Sequence, residues 1–138
     1  MSEVVNNPTM YILSETEEFL CKEIVDCAYK VHLELGPGLL QKIYETCFCY
    51  ELDKKDIPYK RQIKLPILYD GVTFDEGLQL DVLVDTKIIC EFKAVETMNA
   101  LWQAQIMSHL KLTSLHVGFI IYFNVPLIKN GLRRYSVE

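Results

Sequence analysis

Hydrophobic and polar positions alternate along this chain in ways that predict a definite order of elements. Ser14 and Glu17 form a capping box, and Leu20, Ile24, Cys27, Ala28, Val31 and Leu35 follow at helical spacing, so a first helix ends at Gly36-Pro37. Leu40, Ile43, Tyr44, Cys47 and Phe48 give a second helical stripe within residues 39–55, closed by Ile57-Pro58. Residues 59–68 then alternate as a strand, with Pro66 forcing an edge or a bend. Asp70-Gly71 signals a hairpin that returns through a short strand, Val72 to Phe74, and Asp75-Glu76-Gly77 leads out of it. Val82-Leu83-Val84 and Ile88-Ile89-Cys90 flank Asp85-Thr86-Lys87 as two antiparallel strands around a tight turn. Asn99 caps a helix over residues 100–112, and Val117 to Phe123 is a continuous apolar run expected to be buried on both faces beside a parallel neighbour. Lys129-Asn130-Gly131 turns into a last, more polar edge strand, Leu132 to Val137. Residues 1–13 show no period and read as a flexible arm, leaving 14–138 as one domain.

The central hairpin carries acid where core is expected. Strand period places Glu91 and Lys93 on one face. Asp81 joins them if Val84 pairs with Ile88 across a three-residue loop; a two-residue loop would set Asp81 against Cys90 instead. The first register is the one expected, with Asp81, Leu83, Ile89, Glu91 and Lys93 on one face and Val82, Val84, Ile88, Cys90 and Phe92 on a wholly apolar one. Two adjacent carboxylates repel and are costly to bury unpaired, so they call for a partner. Mg²⁺ or Mn²⁺ would serve, held by Asp81, Glu91 and the backbone carbonyl of Phe92, with water and phosphate filling the other positions. Lys93 would orient or deprotonate an attacking water, or stabilise charge in the transition state. The same three residues also read as an ordinary salt-bridged strand face in water.

The pattern Asp81…Glu91-Phe92-Lys93 resembles the D…(D/E)-x-K signature of the PD-(D/E)XK nuclease superfamily, with Leu80 in place of the proline. The run from Gly36 to Glu45 is similar to the name-giving motif of the GxxExxY protein family within it, with Gly38 as its glycine and Tyr44 as its tyrosine. The likeness continues through Arg61-Gln62, the hairpin, Glu91 to Glu96, Ala104-Gln105 and the tail from Asn124 to Arg134, so it spans about residues 15–137. It implies an α/β fold: a restriction-endonuclease-like (PD-(D/E)XK) αβββαβ core with a mixed central sheet flanked by helices. It also implies Glu45 as a third acid at the metal site, and Gln105 as a residue that positions Lys93 or a phosphate. Gln41 stands where the family's named Glu belongs, and His109 where an exonuclease-like branch carries Tyr.

Composition narrows the picture without redirecting it. A chain of 138 residues with 50% hydrophobic content can bury a real core. No apolar run approaches the ~20 residues needed to span a bilayer, and residues 1–13 lack the regions of a secretory signal. A cytoplasmic location without a membrane partner is therefore expected. The five cysteines are odd in number and mostly occupy apolar positions, so they read as reduced core residues. His32 and His116 read as packed or surface histidines, and Trp102 as core before nucleic-acid platform. A net charge of −5 gives no global pull toward nucleic acid, so any contact must be local, at Lys54-Lys55, Lys60-Arg61…Lys64 or Arg133-Arg134.

The function expected is hydrolysis of nucleic-acid phosphodiesters by a metal-activated water, with DNA ahead of RNA as substrate and Asp81, Glu91, Lys93, Glu45 and Gln105 as site residues. The alternative is a catalytically inactive module of the same fold that binds nucleic acid or a protein partner. A homodimer would supply the extended surface that so short a chain lacks, with edges offered by Val117 to Val137.

Overall fold

A computed structural model describes residues 5–6 (backbone only), 11–95 and 97–138. Three layers result: two helices, a mixed sheet and a third helix. The helices are α1 (Glu15–Leu35), α2 (Gln41–Lys54) and α3 (Ala100–Thr113), and the strands are β1 (Val5–Asn6), β2 (Tyr59–Tyr69), β3 (Val72–Val84), β4 (Ile88–Lys93), β5 (Val117–Tyr122) and β6 (Leu132–Ser136). The sheet order is β1-β6-β5-β4-β3-β2. β4 and β5 run parallel, as do β1 and β6, and the other neighbours are antiparallel. This is the restriction-endonuclease-like α/β arrangement anticipated from the sequence. No described helix is long and apolar enough to cross a membrane.

Local chemistry accounts for the boundaries. Ser14 and Glu17 form the reciprocal capping box that opens α1, and Asn99 accepts the Leu101 N–H at the start of α3. Asp70 and Gly71, both at positive φ, make the β2–β3 turn. Residues 72–84 form one strand where two were expected. Gly77 permits this, because a Cβ there would fall 1.8 Å from the Leu65 carbonyl oxygen; only a bare backbone lets β2 and β3 come so close. The pairing register shifts between Leu65 and Ile67, around Pro66, as an edge strand tolerates.

The two sheet faces are covered differently. Val82, Val84, Ile88, Cys90 and Phe92 join α1 and α2 in the larger core, where Phe92 lies edge-on to Phe48 and stacks with Phe123, which stacks on Tyr44. Leu80, Leu83, Ile89 and Ile120 join Ile106 and Leu110 of α3 in the smaller one. β5 is buried along its whole length, which follows from its interior place beside parallel β4. The dimer edge expected across Val117–Val137 is corrected accordingly: β5 is interior, and β6 is paired with β1 at Arg133 and Arg134. Of the expected arm, residues 1–4 and 7–10 lie outside the described residues, Val5–Asn6 pair with β6, and Tyr11 and Leu13 pack against the larger core.

All five cysteines are free, four of them buried. Burial raises the Cys21 thiol to about 11 and those of Cys27 and Cys49 to about 12, which keeps them protonated and unreactive. His32 is buried with Nε2 bonded to the Val125 carbonyl, and His116 stacks on Tyr11, so both are packed residues.

Phe92 is fully buried between Phe48 and Phe123, and it adjoins Glu91 and Lys93. Replacing it with alanine should cost about 3–5 kcal/mol in urea denaturation, and a loss below about 1 kcal/mol would show that this aromatic layer does not hold β4.

Candidate active site

The expected register holds: Val84 pairs with Ile88, Leu83 with Ile89 and Val82 with Cys90. Continued by one step, it sets Asp81 opposite Glu91, and there the two carboxylates take over the backbone donors. The Asp81 N–H donates to Glu91 Oε2 at 3.1 Å, and the Phe92 N–H donates to Asp81 Oδ2 at 2.9 Å. Each acid is thus pinned by an amide from the opposite strand.

Asp81 lies at a local break in the sheet. Arg61 pairs with Val82 and Ile63 with Leu80, but the intervening Gln62 has φ +47. Both strands change face across this point. Tyr59 packs with the larger core and Ile63 and Leu65 with the smaller; Leu78 and Leu80 pack with the smaller and Val82 and Val84 with the larger. The acid therefore sits where regular side-chain alternation fails, a feature sequence periodicity cannot show.

Glu45 of α2 is 3% exposed and ion-paired to Arg61, whose Nε lies 3.0 Å from Oε2. The Gln62 amide donates to Glu45 Oε1 at 2.7 Å and reaches Asp81 Oδ1 at 3.5 Å. Gln41 shares an open cleft of about 620 Å³ with Lys42, Glu45, Arg61 and Gln62. Arg61 and Gln62 carry more of this arrangement than the sequence implied, because their roles depend on the break at residue 62.

On the α3 side, the Lys93 ammonium lies 4.8 Å from the Trp102 ring centre, a cation–π contact that also makes Trp102 a half-buried neighbour of the site. His109 is buried, and its Nδ1 has no hydrogen-bond partner among the described residues. Burial first, and then the Lys93 charge, hold its imidazole below the ordinary value, with Asp81 opposing. Gln105, one turn earlier on α3, is exposed.

Burial, and then the Asp81 charge, push the Glu91 carboxyl up to about 8; the Asp81 N–H and Lys93 act in the opposite direction. Among the described residues neither acid is ion-paired, and no three His, Cys, Asp or Glu side chains gather closely enough to form a metal cluster. Glu45 is committed to Arg61 instead. The donor set is nevertheless of the kind a hard divalent cation takes: two carboxylates, each with one oxygen tied to a backbone amide and the other without a strong protein donor.

A mixed sheet between helices, with an Asp and a Glu-x-Lys on neighbouring central strands, defines a restriction-endonuclease-like domain. The chain belongs to the PD-(D/E)XK nuclease superfamily, whose family profile matches residues 18–135. Nucleases of this superfamily generally use divalent metals such as Mg²⁺, and membership implies contact with nucleic acid. No curated protein and no solved structure matches the chain.

The raised Glu91 value predicts a pH dependence in metal-free protein. Folded Glu91 keeps its proton to about pH 8, whereas an ordinary carboxyl loses it near 4.5. Its favourable contribution is therefore full below about 4.5 and lost as pH climbs through about 8. Thermal melts with chelator should show wild type losing stability from pH 5 to pH 9 relative to Glu91→Gln, and parallel curves for the two proteins would exclude the shift.

Proposed function

We propose that this protein is a metal-dependent nuclease of the GxxExxY branch that hydrolyses phosphodiester bonds in cytoplasmic nucleic acid, DNA ahead of RNA. The observation that carries the reading is the reciprocal hold of Asp81 and Glu91 by each other's strand, which keeps two carboxyl groups side by side with no ion pair to either among the described residues. The branch assignment is supported at the start of α2. Tyr44 donates to the Gly36 carbonyl at 2.6 Å and accepts the Leu39 N–H at 3.1 Å, while Gly38 adopts φ +99. Motif glycine and tyrosine together thus shape the turn that aims Glu45 toward the sheet.

Asp81, Glu91 and the Phe92 carbonyl would hold Mg²⁺ or Mn²⁺, with Glu45 as a further acid beside them. Such an ion, when bound, supplies a Lewis acid and lowers the pKa of a bound water. Lys93 is placed to orient that water or to meet negative charge developing on the phosphate. Trp102 restrains Lys93 from the other side. Gln105, exposed on α3, would meet a substrate phosphate from solvent.

Titrating Mn²⁺ into wild type should release a binding heat that Asp81→Ala loses, and equal heats would remove the metal site. Incubation with Mn²⁺ and single- or double-stranded DNA or RNA should yield products, and Lys93→Ala should cut at least about 100-fold more slowly. If the wild type and Lys93→Ala preparations leave the same background, the protein does not cleave by this site, and a binding module remains.

A further inference from the structure

The break at Gln62 is more than a kink. Gln62 holds φ +47 in the interior of a strand, a conformation that costs a side chain other than Gly or Asn and persists only where surroundings impose it. The side chain it directs is fully engaged. Its carbonyl accepts the Gln79 amide at 3.1 Å, and its own amide nitrogen lies 2.7 Å from Glu45 Oε1 and 3.5 Å from Asp81 Oδ1. One nitrogen within reach of both keeps those oxygens at most about 6 Å apart, the two distances end to end. Both Glu45 oxygens are engaged, by Arg61 and by Gln62, and among the described residues Glu45 does not gather with Asp81 and Glu91 as a three-acid metal cluster, so it stands one layer out from an ion on that pair.

Resting on the metal reading above, we infer that Gln62 is a positioning residue: its amide clips Glu45 of the helix layer to Asp81 of the sheet and sets the spacing of the carboxylates around the ion. Arg61 completes the clip by neutralising Glu45, so that this acid orients groups around the ion without adding a bare charge to the pair. Gln79 fixes the clip from outside through the Gln62 carbonyl. Outer-layer partners of this kind change metal affinity without touching the metal.

Gln62→Gly and Gln62→Asn both tolerate the left-handed backbone, but neither spans the gap. Both should fold and melt near wild type, yet bind Mn²⁺ at least about tenfold more weakly by calorimetry. Gln79→Leu, at an exposed position outside the pair, should weaken Mn²⁺ binding in the same direction and by less. Wild-type affinity in both Gln62 variants would reduce this residue to a backbone kink. Tighter binding would mean that the amide occupies space the ion needs, and it would equally overturn the clip. A wild-type protein that takes up no Mn²⁺ would instead defeat the metal reading itself, and the clip with it.

Discussion

Two carboxylates on adjacent strands, half withdrawn from water, are the constraint around which the sheet is arranged. Like charges this close resist burial, and a lone buried carboxylate costs several kcal/mol. The chain meets that cost by spending backbone hydrogen bonds. The amides of Asp81 and Phe92 serve Glu91 and Asp81 respectively, at a place where β3 and β4 no longer exchange backbone bonds. These bonds hold the acids in place, but burial first, and then the Asp81 charge, outweigh them, which is why Glu91 retains its proton above the ordinary range. A protein that needed only a stable hairpin would continue here with apolar residues, as it does at Val82, Val84, Ile88 and Cys90.

The rest of the fold gives that arrangement rigidity from both sides. Beneath it, Tyr44, Phe48, Phe92 and Phe123 form a continuous aromatic layer that fixes β4 against α2. Above it, α3 brings Trp102 to Lys93 and buries His109, whose Nδ1 has no partner among the described residues, beside the same residues. Functional groups carried on strands between packed layers are held more closely than groups on loops. With a net charge of −5 the chain offers no global attraction to a polyanion, and Lys54, Lys55 and Arg61 are ion-paired to neighbouring acids.

Gln41 and His109, the two residues at which the resemblance fails, occupy distinct structural places. Gln41 lines the cleft beside Glu45, at the mouth of the Arg61–Gln62 network. His109 replaces a hydroxyl with a buried imidazole held neutral by burial and by Lys93. Tyr44 locks the turn before α2 while its ring stacks on Phe123. Gly38 and Tyr44 are therefore architectural: they shape a turn, and the acid that follows them on α2, Glu45, is ion-paired to Arg61.

Much of this was legible in the residues. Capping chemistry marked the starts of α1 and α3, the apolar run at 117–123 marked a strand buried on both faces, and matched apolar pairs around Asp85-Thr86-Lys87 set the register that brings Asp81 to Glu91. These are short-range properties, decided by period and by donors a few residues away. Tertiary structure alone decided the joining of residues 72–84 into one strand, the reversal of faces at Gln62, the capture of Glu45 by Arg61 and the covering of β6 by β1. Each depends on backbones or side chains distant in sequence meeting at close range, and nothing in local spacing encodes such a meeting.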